Sequence, residues 1–421
     1  MPSLKIAVAG AGPAGLAAAA FLARDAHDVR IFERFDAPRP IGAGLMLQPT
    51  GLACLARLGL DRAAIASGAV IAGIDGKTVR GARIFDVGYA ELGPRFFGLG
   101  IHRGALFGLL LEEVRRLAVP VTPATELQRS VVAADRRVLI DARGAEHGPF
   151  DLVVDATGMR SPLRAGETRI SVNRPYPYGA LWGIVEMSAD WRYADKLMQV
   201  YDGCHMMAGI LPVGRRPGDP RRLAALFWSL RSKDYPAWLA AGLDAWKARV
   251  VAAWPAAAPF VAQIGSAGDL TLATYADLTL AARTGERIVF IGDAGRTTSP
   301  QLGQGANLAL IDAATLAASL QDEPSLPSAL ALYARRRQAH TAFYSLASRW
   351  LTPFFQSDSR SAGLVRDRAF PLAGRVPYVR REMVRTLSGM KTGLFSHLDP
   401  GAWHPDYALA PSSALSSSQP A

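Results

Sequence analysis

The first thirty-three residues combine two short apolar runs with a glycine-rich turn and an alanine-rich stretch. Residues 4–9 and 29–32 have the apolar pattern of buried strands, and residues 16–23 between them predict a helix. The turn before the helix reads Gly-Ala-Gly-Pro-Ala-Gly over residues 10–15, and Glu33 ends the second strand. This order of strand, glycine-rich turn, helix, strand and acidic residue predicts a dinucleotide-binding βαβ unit.

Each position of this unit has a physical role. Gly10 permits the tight turn, Gly12 lets the backbone approach a pyrophosphate, and Gly15 lets the helix pack closely on the strand. The N–H groups at the helix start favour phosphates, and Glu33 is placed to accept hydrogen bonds from a ribose.

The competing interpretation of this segment is a secretory signal, but three glycines and a proline interrupt the apolar run. We therefore expect a cytoplasmic protein.

Periodicity farther along the chain predicts a sheet-based unit and a helical C-terminal part. Residues 72–98 and 176–211 have the alternating, aromatic and β-branched character of strands. Residues 130–142 predict a hairpin, and residues 151–155 and 287–291 predict buried strands. Helices are expected at residues 49–58, 105–117, 305–320 and 328–351. Residues 408–421 form a serine-, alanine- and proline-rich tail with little to bury.

Composition removes several classes of function. Two cysteines in 421 residues are too few for a disulfide framework or a metal site, so no metal is expected. The net charge is +11, but the 47 basic residues are dispersed, and only residues 335–337 form an arginine triple. We therefore expect no nucleic-acid partner. No apolar stretch predicts a membrane span, which leaves peripheral membrane contact open.

A second informative block covers residues 292–307 and follows the predicted strand at 287–291. Asp293 would lie at the carboxyl edge of a sheet, where a carboxylate can accept hydrogen bonds from a polyol chain. Gly303 and Gly305 lead into a helix whose free N–H groups could stabilise negative charge on a ring system. Taken alone, the block is equally typical of a loop and helix start in which Asp293 serves as a cap.

Together, the two blocks resemble the class A flavoprotein monooxygenases, the para-hydroxybenzoate hydroxylase family. The resemblance implies an α/β (α+β) fold with a Rossmann-like FAD-binding domain, an inserted, mainly antiparallel β-sheet substrate domain, and C-terminal helices. The expected FAD-binding domain comprises residues 1–75, 100–170 and 270–325, and the substrate domain comprises residues 76–99 and 171–269. Residues 326–405 would form the helical region and residues 406–421 a disordered tail.

The resemblance also implies roles for individual residues. The FAD pyrophosphate and adenosine would contact the first block, the phosphate or ribityl region would contact an arginine that precedes a helix, and the ribityl chain and isoalloxazine would contact the second block. These cofactor-binding residues are Gly10, Gly12, Ala14, Gly15, Glu33, Arg34, Arg103, Asp293, Gly303, Gly305, Ala306 and Asn307.

Two further positions are catalytic candidates, and two positions depart from the family pattern. The carbonyl of Pro300 would lie near the reacting carbon. Arg296 replaces a family histidine and could pair with an anionic substrate or with the FAD phosphates. Thr157 replaces an aspartate of the family's middle motif, which leaves the reductant open.

The implied activity is hydroxylation of an aromatic, phenolic or polyketide-like small molecule through a flavin C4a-hydroperoxide. The implied co-substrates are NAD(P)H and O2, and the protein would be a monomer or homodimer. Substrate contacts are expected from Tyr178, Trp182, His205 and Met207, with core packing as the alternative for each. The alternative functions are an FAD-dependent reductase, a halogenase, although the W-x-W-x-I-P stretch is missing, and a non-catalytic binding protein.

Overall fold

Apolar runs throughout the chain form the strands of five sheets in the computed structural model, which describes residues 2–39 and 42–399. The strands of the described residues are β1 (Lys5–Ala9), β2 (Asp28–Phe32), β3 (Gly44–Leu47), β4 (Ala69–Ile71), β5 (Gly73–Thr78), β6 (Arg83–Gly88), β7 (Gly98–His102), β8 (Val121–Thr122), β9 (Leu127–Ala133), β10 (Arg136–Asp141), β11 (Glu146–Phe150), β12 (Leu152–Asp155), β13 (Ile170–Pro175), β14 (Tyr178–Glu186), β15 (Lys196–Asp202), β16 (Met206–Gly214), β17 (Leu223–Arg231), β18 (Thr271–Ala273), β19 (Ala276–Leu280), β20 (Thr284–Gly285), β21 (Ile288–Phe290) and β22 (Arg296–Thr297).

Helices lie between these strands and dominate the C-terminal part. Those of the described residues are α1 (Pro13–Arg24), α2 (Pro49–Arg57), α3 (Asp61–Ser67), α4 (Arg103–Arg116), α5 (Tyr235–Ala241), α6 (Leu243–Ala253), α7 (Ala258–Val261), α8 (Gly292–Gly295), α9 (Gly305–Asp322), α10 (Leu326–Phe355), α11 (Arg360–Ala373) and α12 (Pro377–Leu387).

The first sheet is six-stranded in the order β20-β21-β12-β1-β2-β8. All neighbours are parallel except β20 and β21, and β1 is buried along nearly its whole length, as a parallel strand covered on both faces should be. Both β1 and β21 flank β12, so the turns that follow them leave the same edge of the sheet. The predicted βαβ unit is therefore present, and the mixed α/β fold class is confirmed.

Close backbone approach brings the two glycine blocks together at this edge. A Cβ atom at Gly15 would lie 1.9 Å from the carbonyl oxygen of Gly10, so only glycine allows α1 to pack on this turn. A Cβ atom at Gly292, which begins α8, would lie 2.9 Å from the Cβ atom of Ala14. The turns after β1 and β21 are thus in direct contact.

A seven-stranded sheet, ordered β18-β14-β17-β16-β15-β5-β6, forms the second unit. Its neighbours are antiparallel except β5 and β15, which are parallel. Alternation along β16 places Met206 in the core beneath α5–α7 and Met207 in a separate core against the C-terminal helices. The two faces of this sheet therefore have different environments.

Two strands of this sheet differ from the predicted domain boundaries. The strand β5 crosses the expected boundary at residue 75, and β18 belongs to this sheet although it lies within residues 270–325 of the expected FAD-binding domain. Each of these strands belongs to the sheet because it is hydrogen-bonded to a strand far away in the chain, β18 to β14 and β5 to β15. A local sequence pattern does not identify such partners. The division into domains itself stays a prediction, and residues 400–421, with the predicted tail, lie outside the described residues.

A buried carboxylate fixes the C-terminal helices to the parallel sheet. Asp312 on α9 accepts hydrogen bonds from Arg337 Nε on α10 (2.7 Å), from the Gly292 N–H (3.0 Å) and from the guanidinium of Arg283. Burial opposes ionisation of this carboxyl, but Arg283 and Arg337 hold its pKa at about 2. The ionised Asp312 therefore joins α8, α9 and α10.

Farther along, Arg366 on α11 is completely buried. Its guanidinium lies 4.7 Å from the ring centroid of Tyr201 and 5.6 Å from that of Phe355, and it donates to the Phe354 carbonyl (3.0 Å). The cation thus links α11 to both α10 and the seven-stranded sheet.

No helix of the described ranges has the length and apolar character needed to span a bilayer, and those ranges contain no grouping of three metal-ligating side chains.

The glycine contacts predict contrasting effects of two substitutions on stability. Gly15→Ala should lower the free energy of unfolding by about 2 kcal/mol or more, because the new Cβ would overlap the Gly10 carbonyl oxygen. Gly12→Ala should change it by less than about 1 kcal/mol, because no heavy atom lies within 4 Å of the added Cβ. Urea unfolding of the FAD-free variants measures both, and equal losses would contradict the packing argument.

Candidate functional site

A large cavity opens between the parallel sheet, one face of the seven-stranded sheet and the C-terminal helices. Its volume is about 970 Å³. The wall beside the parallel sheet includes β3, Arg103, Asp293 and the segment 296–306, whereas the opposite wall is mainly apolar. The cavity therefore has a polar end lined by the second glycine block and an apolar end beneath the C-terminal helices. Residues 10–15, Glu33 and Arg34 are not among its lining, and the first block adjoins it through the contact of Ala14 with Gly292.

The glycine-rich turn has open space where a phosphate group would bind. Gly10 adopts the left-handed region at φ 97° and donates to the Phe32 carbonyl (2.7 Å), which sets the turn after β1. Beyond it, no heavy atom lies within 4 Å of the position that a Cβ would take at Gly12, at the N-terminus of α1. This opening at a helix start fits a pyrophosphate.

The acidic end of β2 lies beside this turn. Glu33 is buried, with one carboxylate oxygen accepting from the Ala11 N–H (2.8 Å) and the other from the Phe35 N–H (3.1 Å). The neighbouring Arg34 is exposed, and its guanidinium lies 4.7 Å from the Phe35 ring centroid. Glu33 thus braces the turn, and a carboxylate retains lone pairs for a ribose after these two bonds.

At the polar end of the cavity, Asp293 follows Gly292 in the short helix α8. Its side chain faces the cavity, and the surrounding walls keep it away from bulk solvent. This desolvation raises the pKa of Asp293, whereas the positive charges of Arg103 and Arg296 lower it. Arg103, the first residue of α4, also lines the cavity, and its guanidinium nitrogen Nη1 would lie 2.9 Å from a Cβ at Gly42. The carboxylate and the guanidinium predicted to hold one ligand therefore face the same space.

The start of α9 provides a second open cradle. Gly303 has φ 61°, and a Cβ at Gly305 would have no heavy atom within 4 Å. The buried Gln48 side chain receives a hydrogen bond from Tyr89 Oη at 2.6 Å, and this orients its Nε2 atom. That Nε2 atom has no hydrogen-bond partner and lies 4.0 Å from the Cβ position of Gly303. An orphaned buried donor beside an open helix N-terminus fits the polar edge of a flavin ring.

Other residues of the second block are held by the protein itself. The Asn307 side chain is fully buried, accepts from the Gln48 N–H (2.8 Å) and donates to the Met46 and Gly303 carbonyls (3.2 and 3.0 Å). It therefore fixes the cradle, with no free side-chain face towards the cavity. Ala306 and Pro300 both line the cavity.

Arg296 lines the cavity and is anchored to α10. Its Nη1 atom donates to the Thr341 carbonyl (2.6 Å) and to Ser345 Oγ (2.7 Å). Burial and the nearby cations of Arg283 and Arg337 lower the pKa of Arg296 to about 9, so the guanidinium remains charged at neutral pH. Both acceptors are neutral groups, and the charges of Asp312 and Asp277 favour the charged guanidinium.

The departure at Thr157 has a local structural account. Asp155, at the end of β12, accepts hydrogen bonds from the Thr157 N–H (2.9 Å) and Oγ1 (2.7 Å), and also from Ser161 Oγ. Thr157 therefore closes the turn after β12 by binding this buried carboxylate.

The apolar end contains two of the four predicted substrate contacts, Trp182 and Met207. The Trp182 ring lies 4.8 Å from that of Phe227, and its Nε1 donates to Tyr275 Oη at 2.9 Å. Because Tyr275 Oη accepts this bond, its own proton can be donated elsewhere. Desolvation raises the pKa of Tyr275, which keeps this proton in place at neutral pH.

Tyr178 and His205 are not brought to this cavity. Both line a separate cavity of about 390 Å³, where Tyr178 Oη donates to Asp358 at 2.6 Å and His205 lies 3.5 Å from Asp202. Met206 lines that smaller cavity as well, since strand alternation turns it away from the large one. The neighbouring residues Met206 and Met207 of β16 are thus divided between the two faces of the sheet.

Several cavity residues had no recognisable signal in the sequence. Tyr275 lies in a short loop between β18 and β19, and the walls added by α10–α12 come from helices whose docking position a local pattern cannot show. Gln48, which lies beside Gly303 behind the cavity wall, is likewise marked only by a contact between distant parts of the chain. The C-terminal contributors include Phe355, Phe370, Tyr378, Met383, Leu387 and Lys391.

Comparison with known families agrees with this geometry. Residues 3–342 match the family model described as an FAD binding domain. That span includes both glycine blocks and the whole seven-stranded sheet.

Individual relatives and a solved structure extend the likeness. The 3-amino-4-hydroxybenzoate 2-monooxygenase of Streptomyces cremeus is 30% identical over 368 residues, covering 80% of this chain and 84% of the relative. The 2-heptyl-3-hydroxy-4(1H)-quinolone synthase of Pseudomonas aeruginosa (strain UCBPP-PA14) is 28% identical over 365 residues, covering 81% and 86%. The crystal structure of Klebsiella pneumoniae HpxO complexed with FAD and uric acid shares the fold, with a TM-score of 0.76, 20% identity, and coverage of 90% and 97%.

The cavity geometry predicts that Asp293 contributes to cofactor retention. Asp293→Ala should weaken FAD binding about tenfold or more, because it removes a hydrogen-bond acceptor from the cavity wall. Asp190→Ala, at an exposed carboxylate that does not line the cavity, is the matched control and should bind FAD like the unmodified protein. Flavin fluorescence titration of the apoproteins measures both, and an unchanged affinity for Asp293→Ala would refute the assignment.

Proposed function

Because the chain belongs to the FAD-dependent aromatic monooxygenases of the FAD binding domain family, we propose that it hydroxylates an aromatic small molecule carrying an apolar substituent. We propose NAD(P)H as the reductant and O2 as the oxidant. The observation that carries this proposal is that the polar end and the apolar end belong to one large cavity. The apolar end is called the chamber below. The relatives named for a hydroxybenzoate and for a heptyl-substituted quinolone support an aromatic substrate with a variable substituent.

The residues of the two glycine blocks fit FAD. The α1 N-terminus at Gly12 would hold the pyrophosphate, Glu33 the ribose, Arg103 and Asp293 the central part, and the α9 N-terminus the ring. Bound FAD supplies the redox chemistry that activates oxygen for transfer to an electron-rich carbon.

The chain's own residues position the substrate and exclude water. In this proposal the aromatic ring lies beside Trp182 and Phe227, which line the cavity together, and the C-terminal helices form the wall that separates it from solvent. Tyr275 Oη donates its proton in a hydrogen bond to a phenolic or carbonyl oxygen of the substrate, while Trp182 Nε1 fixes the orientation of that hydroxyl group. No ionisable side chain needs to attack the substrate.

The proposed activity is tested with phenols that carry alkyl substituents of increasing length. We expect substrate-dependent NAD(P)H oxidation, matching O2 uptake and a product that contains one added oxygen atom by mass spectrometry. Each buried methylene contributes about 0.8 kcal/mol, so KM should fall about three- to fourfold per carbon until the chamber is filled. NAD(P)H oxidation coupled to substrate reduction without O2 uptake would instead support a reductase.

The hydrogen-bonding role of Tyr275 gives a second prediction. Tyr275→Phe should lower kcat/KM about tenfold while FAD affinity stays unchanged, because only the donor to the substrate is lost. Tyr178→Phe removes a hydroxyl from the smaller cavity and should leave kcat/KM within about twofold. Steady-state kinetics of the two variants make the comparison, and equal effects would contradict the role of Tyr275.

A further inference from the structure

Exposed apolar side chains are concentrated in one short part of the chain. Among the described residues, seven of the thirteen exposed large hydrophobic side chains lie within residues 364–395. On α11 the most exposed are Leu364 (56%), Val365 (53%) and Leu372 (59%). Scattered single exposed apolar residues are normal, but such a concentration marks an interaction surface.

The α11 residues occupy one face of that helix. Leu364, Arg368 and Leu372 are spaced four residues apart and therefore lie in one row, with Val365 beside it. The opposite face carries the buried Gly363 and Arg366, which pack against the rest of the protein. The apolar row of α11 consequently points away from the protein core.

The charge of the same region is strongly positive. Residues 360–398 contain eight arginine and lysine residues and two acidic residues. The two acidic side chains are both paired, Asp367 with Arg366 and Glu382 with Arg385 and Lys391. Exposed arginines border or interrupt the apolar face at positions 360, 368, 375 and 381.

The same part of the chain also supplies residues at the mouth of the large cavity. Tyr378, Leu394 and Phe395 line the cavity and are also 58%, 77% and 85% exposed. An apolar ligand that leaves the chamber at this mouth would emerge among apolar side chains.

We propose that the outer face of α11 (Leu364, Val365, Leu372), with the cavity mouth (Tyr378, Leu394, Phe395) and the surrounding arginines, docks on an anionic lipid bilayer. Apolar side chains flanked by arginine are the chemistry of a surface that inserts into the headgroup region of such a membrane. The arginines would contact lipid phosphates while the apolar row enters the acyl boundary. The chamber would then open towards the bilayer, from which lipophilic molecules can enter.

Vesicle binding by the full chain tests this surface directly. The protein should co-sediment with vesicles of phosphatidylcholine and phosphatidylglycerol, and at least tenfold more weakly with phosphatidylcholine alone or at 1 M salt, about the concentration at which screening is nearly complete. Binding that is absent, or equal for both vesicle types, overturns the proposal.

Matched variants locate the binding. Leu364→Asp combined with Leu372→Asp should weaken binding to the anionic vesicles at least tenfold. Val131→Asp combined with Val132→Asp, on the exposed β9 strand, should leave it unchanged. Arg360→Gln, Arg368→Gln and Arg375→Gln together should remove most of the salt dependence. Unchanged flavin content and unfolding midpoint show that each variant is folded, and equal vesicle binding by the α11 and β9 variants overturns the assignment.

Two other occupants of the surface give distinct results. A dimer of the full chain in light scattering that dissociates in the Leu364→Asp, Leu372→Asp variant would assign the surface to a second copy. Vesicle binding that appears only after deletion of residues 400–421 would assign it to the chain's own C-terminal segment. Either result overturns the proposal for the full chain, whereas a monomer that binds vesicles with those residues present supports it.

Discussion

The carboxylate of Asp312 is the constraint on which the rest of the cavity depends. It binds two arginines and the Gly292 N–H, so one side chain fixes the α8 turn, helix α9 and the long helix α10 relative to one another. Since Asp293 directly follows Gly292, the direction in which it faces the cavity is set by this buried ion cluster. Removing Asp312 would leave two buried guanidiniums without their shared anion, which is far costlier than losing an exposed pair.

The cluster also determines the electrostatics of the polar end. Arg283 and Arg337 share Asp312, whereas Arg296 is held by a carbonyl and a hydroxyl group and keeps its positive charge at the wall. Arg103 adds another cation close to Asp293. The polar end therefore favours a ligand with negative charge, such as phosphates or an electron-rich ring, and Asp293 offers the main acceptor for neutral hydroxyl groups. These charges lie opposite an apolar chamber, so a ligand's orientation in the cavity is determined by its own polarity.

The sequence predicts features that depend on local spacing. It does not predict the position of a side chain that is set by contacts between distant parts of the chain. The spacing of Gly10, Gly12 and Gly15 between a predicted strand and a predicted helix indicates their roles, and the βαβ unit follows from this local spacing. The sheet face of Met207 depends on register, because a one-residue shift would exchange it with Met206 and only the strand partners fix the register. Tyr178 and His205 differ from Met206, because Tyr178 is the first residue of β14 and His205 lies in the turn between β15 and β16, and both line the smaller cavity. Tyr275 and Gln48 depend on contacts to residues far away in the chain, so no local pattern marks them.

The segment that carries Leu394 and Phe395 at the cavity mouth is held by the ion pair of Lys391 with Glu382, because side-chain packing contributes little there. Leu394 and Phe395 are too exposed to be fixed by neighbouring side chains. Instead, the buried Lys391 Nζ bonds to Glu382 on α12 and to the Leu394 carbonyl, which ties the turn to the helix beneath it. Burying a lysine beside an apolar chamber is unfavourable unless it is paired, and Glu382 and the Leu394 carbonyl provide that pairing. In the proposed bilayer contact, this ion pair would hold Leu394 and Phe395 at the point where lipophilic ligands pass between the acyl region and the chamber.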